Sequence, residues 1–204
     1  MSHNDTREAR YRLPLFPLPV VLLPGTRMPL HIFEQRYQDM VRDALAKDRR
    51  FGMVYHDWDQ QGPFLSEEGT VGCLAEIREF ETLEDGRSLI MIVGMERFAI
   101  DDGLESDTLY FEGLVTPFRD QEGGPAFEAD IEERRRVSIE LFEAVLTSMS
   151  ERPDLPDFSS GGELSFPLAQ TIQVDPRWHQ ELLEMRSEVK RLDRIDEVFQ
   201  ALLD

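Results

Sequence analysis

Prolines and apolar/polar alternation dominate the first half of the chain, and a helical period dominates the second. Residues 13–25, LPLFPLPVVLLPG, together with Pro29 carry five prolines that exclude a helix, because each fixes φ and withholds an amide donor. Pro24-Gly25 has the residue order of a type II turn. Met28, Leu30 and Ile32 alternate with Pro29 and His31, so this strand has one apolar face, His31 points the other way, and Pro29 marks an edge or a bulge. Phe33, Tyr37, Met40, Val41, Ala44 and Leu45 then recur at helical spacing with charged residues between them, which predicts an amphipathic helix of about four turns. Strand-like runs follow at 51–55, 70–80, 88–93, 96–100 and 110–118, separated by turn signals such as Asp85-Gly86 and Asp102-Gly103.

After the loop 121–125, the apolar period of Ile131, Val137, Leu141, Phe142, Val145 and Met149 predicts a long helix. A second loop holds Pro153, Pro156 and the run SSGG at 159–162. A short helix over 164–174 has Pro167 in its first turn, and Asp175-Pro176 has the order of an N-cap followed by Pro at N1. The apolar stripe continues to the C-terminus, with a break near Arg186-Ser187. Strands first and helices after them predict an α+β chain: a polar tail over 1–10, a mostly antiparallel barrel or sandwich over 11–118, and a helical domain over 128–204.

Charge narrows the function. Of 204 residues, 41 are Asp or Glu and 22 are Lys or Arg, a formal net charge of −19, and the only lysines are Lys47 and Lys190. Phosphate binding needs concentrated cations, so nucleic acid and anionic membranes are disfavoured partners. At 41% hydrophobic the chain holds enough apolar side chain to fold rather than remain an acidic tail. The first ten residues lack the basic start and apolar stretch of a secretory signal, and the proline-broken run 13–24 is too short to span a bilayer. A lone Cys73 precludes an internal disulfide framework and fits a reducing, cytoplasmic setting.

Three segments within 25 residues resemble one family. LPLFPL at 13–18, VLLPG at 21–25 and PLHIFEQRY at 29–37 resemble the opening of the Lon protease N-terminal, substrate-binding domain, especially the short proteins that consist of this domain alone. The run GTVGCLAEI at 69–77 and the "G-x-x-R-F-x-I" pattern of 94–100 extend the resemblance, which weakens over 164–203. It implies a PUA-like β pseudo-barrel with one inserted helix, followed by a C-terminal helical bundle. It also implies a limit. The chain contains no Gly-Lys pair from which to build a P-loop, and neither lysine is placed to serve a Ser-Lys protease.

The candidate chemical sites are sparse. Asp57, Asp59, Gln61 and Glu68 nearly fit the ligand spacing of a calcium-binding EF-hand loop, but the flanking segments read as strands rather than helices. His31, His56 and His179 are too far apart in sequence for a zinc motif. Cys73 alternates with Val71, Ala75 and Ile77, which puts it on an apolar strand face. No catalytic residue, cofactor site or metal ligand set is nominated. Trp58 and Phe64 stand out as aromatics in a polar loop, where an exposed ring would make a protein anchor and a ring folded back on the barrel would not.

The function that the resemblance implies is a non-catalytic module that binds unfolded or extended polypeptide, or another protein partner, and the open sheet edge and apolar grooves of a small barrel suit that role. A hydrolase with an unrecognised site is one alternative and predicts a deep pocket with a strongly perturbed ionisable group. RNA binding through the PUA-like fold is another, and needs a basic patch.

Overall fold

The computed structural model describes residues 9–121, 125–149 and 163–203, with the side chains of 125–130 excepted. The predicted loops at 121–125 and 150–162 therefore lie largely outside the described residues. The chain divides into two compact units that meet in sequence between Phe118 and Arg119.

The first unit has six strands and two helices: β1 (Tyr11–Leu18), β2 (Arg27–Ile32), α1 (Gln35–Leu45), β3 (Arg50–Tyr55), α2 (Trp58–Gln61), β4 (Val71–Thr82), β5 (Ser88–Leu104) and β6 (Phe111–Pro117). The strands run β2-β5-β4-β3-β1-β6, and β6 pairs again with β5, which closes five of them into a barrel. All neighbours are antiparallel except β1 and β3, which are parallel. Closure depends on the length of β5. Its first half, through Val93, pairs with β2 and the far end of β4, and its second half pairs with β6 and the near end of β4.

The sequence pattern predicts two strands here, at 88–93 and 96–100, whereas the structure has one. Gly94 joins them. Its N–H donates to the Thr26 carbonyl at 2.9 Å, and its own carbonyl accepts from Gly25 at 2.8 Å. A Cβ at Gly94 would sit 2.1 Å from the Leu23 carbonyl oxygen, so glycine is required for the 23–26 turn to pack onto the strand. Gly25 in that turn has φ +75°, the conformation that a Pro-Gly type II turn demands.

The barrel interior is filled by Leu13, Leu15, Val54, Leu74, Phe98, Ile100 and Val115, with Phe64 folded in from the 62–70 loop. Phe98 occupies the middle. Cβ atoms at Gly52 on β3 and Gly72 on β4 would fall 2.6 Å and 2.5 Å from its ring, so two bare stretches of wall accommodate one large side chain. On α1, Tyr37, Met40, Val41 and Ala44 are buried as the apolar stripe predicts. The helix starts at Gln35, however, and Phe33 lies outside it, exposed, beside the His31 ring.

The second unit has α3 (Pro125–Ser148), α4 (Ser165–Gln170), α5 (Pro176–Glu184) and α6 (Glu188–Leu203), with α3 and α4 both packed on α6. Asp175 accepts from the Arg177 N–H at 2.9 Å, so the Asp-Pro start of α5 is a side-chain cap. Buried charge organises this unit. Arg191, 0% exposed, donates to both Asp120 oxygens at 2.8 and 2.6 Å, to Glu163, to the Ser165 hydroxyl and to the Met185 carbonyl. Glu188 accepts the Leu164 and Ser165 N–H groups at the start of α4 and pairs with Arg135 of α3.

Candidate functional site

Beyond the closed barrel, β2 and the first half of β5 form a projecting sheet with the far end of β4. Cross-strand register sorts its side chains into two faces. Met28, Ile92 and Ile77 belong to one face, where Ile77, Ile90 and Ile92 are buried. The other face carries the rows His31–Leu89–Glu81 and Pro29–Met91–Glu79. Leu89 is 42% exposed there, between exposed polar neighbours. Phe80, also 42% exposed, ends the row Leu30–Ile90–Phe80 at the β4 margin of the inner face. An open groove of about 440 Å³ lies against this sheet and is lined by Leu30, Phe80, Leu89 and Met91 among others. The run SLIMIV at 88–93 is apolar on both faces, and that is the sequence signal for this surface: one face fills the core and the other is left over.

The free edge of this sheet is poorly suited to strand addition. Thr26 directs its carbonyl to Gly94 of β5, so alternation of the ladder turns the backbone of Arg27, Pro29 and His31 outward. Pro29 has no N–H to offer an incoming strand. The expectation that an open barrel edge accepts an added strand is thus corrected: β5–β6 pairing closes the barrel, and proline interrupts the β2 edge that remains.

The two aromatics of the 57–68 segment part company. Phe64 is 6% exposed, belongs to the barrel core, and meets Phe111 and His56 edge-on at centroid distances of 4.9 and 5.3 Å. It presents no ring to a partner, because the loop folds it into the barrel and leaves its neighbour Leu65 in solvent. Trp58 is 37% exposed and stands edge-on to His56 at 4.6 Å, with the Arg36 guanidinium 6.0 Å from its ring centroid. The segment is anchored by the His56 Nε2 contact with the Gly62 carbonyl, 2.8 Å, and by Asp57. The Asp57 carboxylate accepts from the Asp59 and Gln60 N–H groups and so caps α2. Its place in the calcium-like spacing is a helix cap in this structure.

The remaining candidates are structurally placed. Cys73 is fully buried, and burial pushes its thiol pKa up, away from the reactive thiolate. His179 Nε2 lies 3.1 Å from the Ala169 carbonyl, and His31, Lys47 and Lys190 are exposed. Among the described residues, no three His, Cys, Asp or Glu side chains gather into a metal-binding group. No helix among them is long and apolar enough to cross a membrane.

The family model for the ATP-dependent protease La (LON) substrate-binding domain matches residues 12–200. The chain belongs to this Lon substrate-binding domain family. Among curated Lon family relatives, the Lon protease of Parabacteroides distasonis is 27% identical over 65% of this chain and 17% of its own length. That of Cytophaga hutchinsonii is 24% identical over 93% of this chain and 24% of its own. Protein cereblon of Danio rerio is 34% identical over 44% of the chain and 21% of its own. The chain thus spans about a quarter or less of these relatives. Two solved structures share the fold: a Lon N-terminal domain protein from Xanthomonas campestris (TM-score 0.61, 24% identity, 91% of this chain and 96% of that one) and the N-terminal domain of Mycobacterium avium complex Lon protease (0.64, 15%, 93% and 98%). The Lon domain match accounts for the α+β architecture of a mixed sheet plus helices, and for a role as a binding module.

Proposed function

We propose that this chain is a non-catalytic Lon-type module that binds unfolded or extended polypeptide on the projecting β2-β5-β4 sheet. The observation that carries the proposal is exposed Leu89 beside half-buried Met91 on the outer face, with exposed Phe80 at the β4 margin of the opposite face. Such a strip offers side-chain contact to an apolar segment without the backbone pairing that Pro29 interrupts. Trp58 is a second, smaller contact of the same kind. The closed barrel is read as PUA-like and the second unit as a helical bundle. A cytoplasmic setting suits the buried, unpaired Cys73. An RNA partner is opposed by the state of the cations, since Arg10, Arg12, Arg36, Arg42, Arg50, Arg78 and Arg87 all face carboxylates in ion pairs.

The test uses reduced, carboxymethylated lysozyme as a permanently unfolded probe. Leu89→Glu places a charge in the middle of the strip without entering the core, so it should weaken binding by tenfold or more while leaving the unfolding midpoint within error. Binding equal to that of the parent chain would remove the sheet from the account.

A further inference from the structure

Three side-chain columns run along the outer face of the projecting sheet, one from each strand. β5 supplies the middle column, Val93, Met91 and Leu89, and β2 supplies Arg27, Pro29 and His31 on one side of it. β4 supplies Glu76, Glu79 and Glu81 on the other side. The acidic column depends on a bulge. Strict alternation from Glu76 would bring Arg78 and Phe80 to this face, but the register shifts between Ile77 and Glu79. The extra residue sets Glu79 opposite Met91 and Glu81 opposite Leu89.

The two ends of the acidic column differ. Glu76, beside the barrel, faces Arg50 at 3.4 Å and Arg78 at 2.9 Å. Glu79 and Glu81 are exposed, and their carboxylates have no ion pair among the described residues. The hairpin's own cations are taken up elsewhere, Arg78 by Glu76 and Arg87 by Asp85. Arg27 stands across β5 at the barrel end of the face, in the row of Val93 and Glu76. The groove of about 440 Å³ takes in both unpaired carboxylates together with Leu89 and Met91, and none of its lining residues is Lys or Arg.

An apolar column with unpaired carboxylates one strand away complements a particular kind of segment. In an extended chain, residues two apart share a face and lie about 6.6 Å from each other, while neighbouring strands are about 4.8 Å apart. An apolar side chain set down on the β5 column therefore brings the residue two positions on to the β4 column. Lys and Arg suit that place, because their aliphatic stems cover apolar surface while the charged head reaches a carboxylate.

We propose that the projecting sheet selects extended segments in which an apolar residue and a Lys or Arg lie two positions apart, the apolar side chain on Leu89 and Met91 and the cation on Glu79 and Glu81. The inference rests on the polypeptide-binding reading of this sheet and adds the chemistry of the segment it takes. Glu79 and Glu81 are its specificity-determining residues. A second copy of this chain is a poor occupant, since each copy carries a net charge of −19.

The experiment measures fluorescence anisotropy of a rhodamine-labelled peptide of three Leu-Ser-Lys-Ser repeats, and of its counterpart with Gln for Lys, on the full chain. The lysine peptide should bind about fivefold more tightly than the glutamine peptide at low salt, and this advantage should fall below about twofold in 0.5 M salt. Glu79→Gln with Glu81→Gln should remove the advantage and leave the glutamine peptide's Kd unchanged. Glu67→Gln with Glu105→Gln makes the same change in net charge at exposed positions away from the sheet, and should leave the advantage in place. Equal binding of the two peptides, or an equal loss of the advantage in both double variants, would overturn this inference. With the unfolded lysozyme probe still bound by the parent chain and lost in Leu89→Glu, the sheet would remain a polypeptide-binding surface without charge selection. Retention of that probe by Leu89→Glu would overturn the underlying reading itself.

Discussion

Alanine at Gly52 and at Gly72 separates two kinds of close approach in one barrel. At Gly52 the new methyl would meet only side chains: the Phe98 ring at 2.6 and 2.9 Å and a Leu13 methyl at 2.9 Å. At Gly72 it would meet the Phe98 ring at 2.5 Å and also the Met53 carbonyl oxygen at 2.5 Å, which belongs to the neighbouring strand. A ring can tilt, whereas a carbonyl in a ladder moves only with its strand. Overpacking a well-filled core costs about 1–3 kcal/mol, and more where backbone must shift. Gly52→Ala is therefore expected to cost about 2 kcal/mol and Gly72→Ala about 3 kcal/mol or more. The two should part in a Phe98→Leu background. The smaller side chain relieves most of the Gly52→Ala cost but leaves the carbonyl clash at Gly72→Ala. Urea unfolding followed by Trp58 fluorescence, in a Trp178→Phe chain so that only the barrel reports, gives the four free energies of each cycle. Equal relief at both positions, or a cost below about 0.5 kcal/mol at either, would refute the claim that these glycines exist to seat Phe98.

Other outcomes follow from buried charge and burial. Arg191→Met leaves Asp120 and Glu163 without their cation, and should cost the helical unit about 3–5 kcal/mol in denaturant unfolding while the Trp58-monitored barrel transition stays in place. Arg12 holds the Glu112 carboxyl below its usual range, so the stability it supplies is present above the unfolded carboxyl value of about 4.3 and lost as pH falls through the lower folded value. Glu112→Gln should accordingly destabilise the barrel by about 1–2 kcal/mol at pH 7, with the difference from the parent chain shrinking as the pH approaches 3. Cys73, buried and with its thiol pushed up, should react with a thiol reagent only as fast as the barrel opens, and a fast native-state reaction would contradict its placement.

Much of the fold is legible in the sequence where one local rule decides. Prolines and alternation mark β1 and β2, the Pro-Gly order marks the 23–26 turn, and Asp175-Pro176 marks the start of α5. What escapes is set by contacts distant in sequence. Gly94 reads as a break between strands, yet it is the point at which one long strand lets a turn approach. Phe33 has helical spacing from Tyr37, but the chain enters α1 only at Gln35 and leaves the ring in solvent. The candidate surface is only partly legible. Trp58 and Phe64 look alike as loop aromatics, and only the packing of Phe64 under His56 and against Phe111 tells them apart. Leu89 and Met91 were readable as a surplus apolar face on β5, but which face the core takes is decided by barrel closure. The parallel pairing of β1 with β3, on which that closure depends, has no local signature.

The most direct test of polypeptide capture by the projecting sheet is site-specific photo-crosslinking. A benzophenone side chain at position 89, and in a second sample at the exposed position 190 of α6, is irradiated with reduced, carboxymethylated lysozyme present. Efficient crosslinking from position 89, competed by excess unlabelled probe, and little from position 190 is the predicted result. Equal yields from the two positions, or competition at neither, would contradict the account.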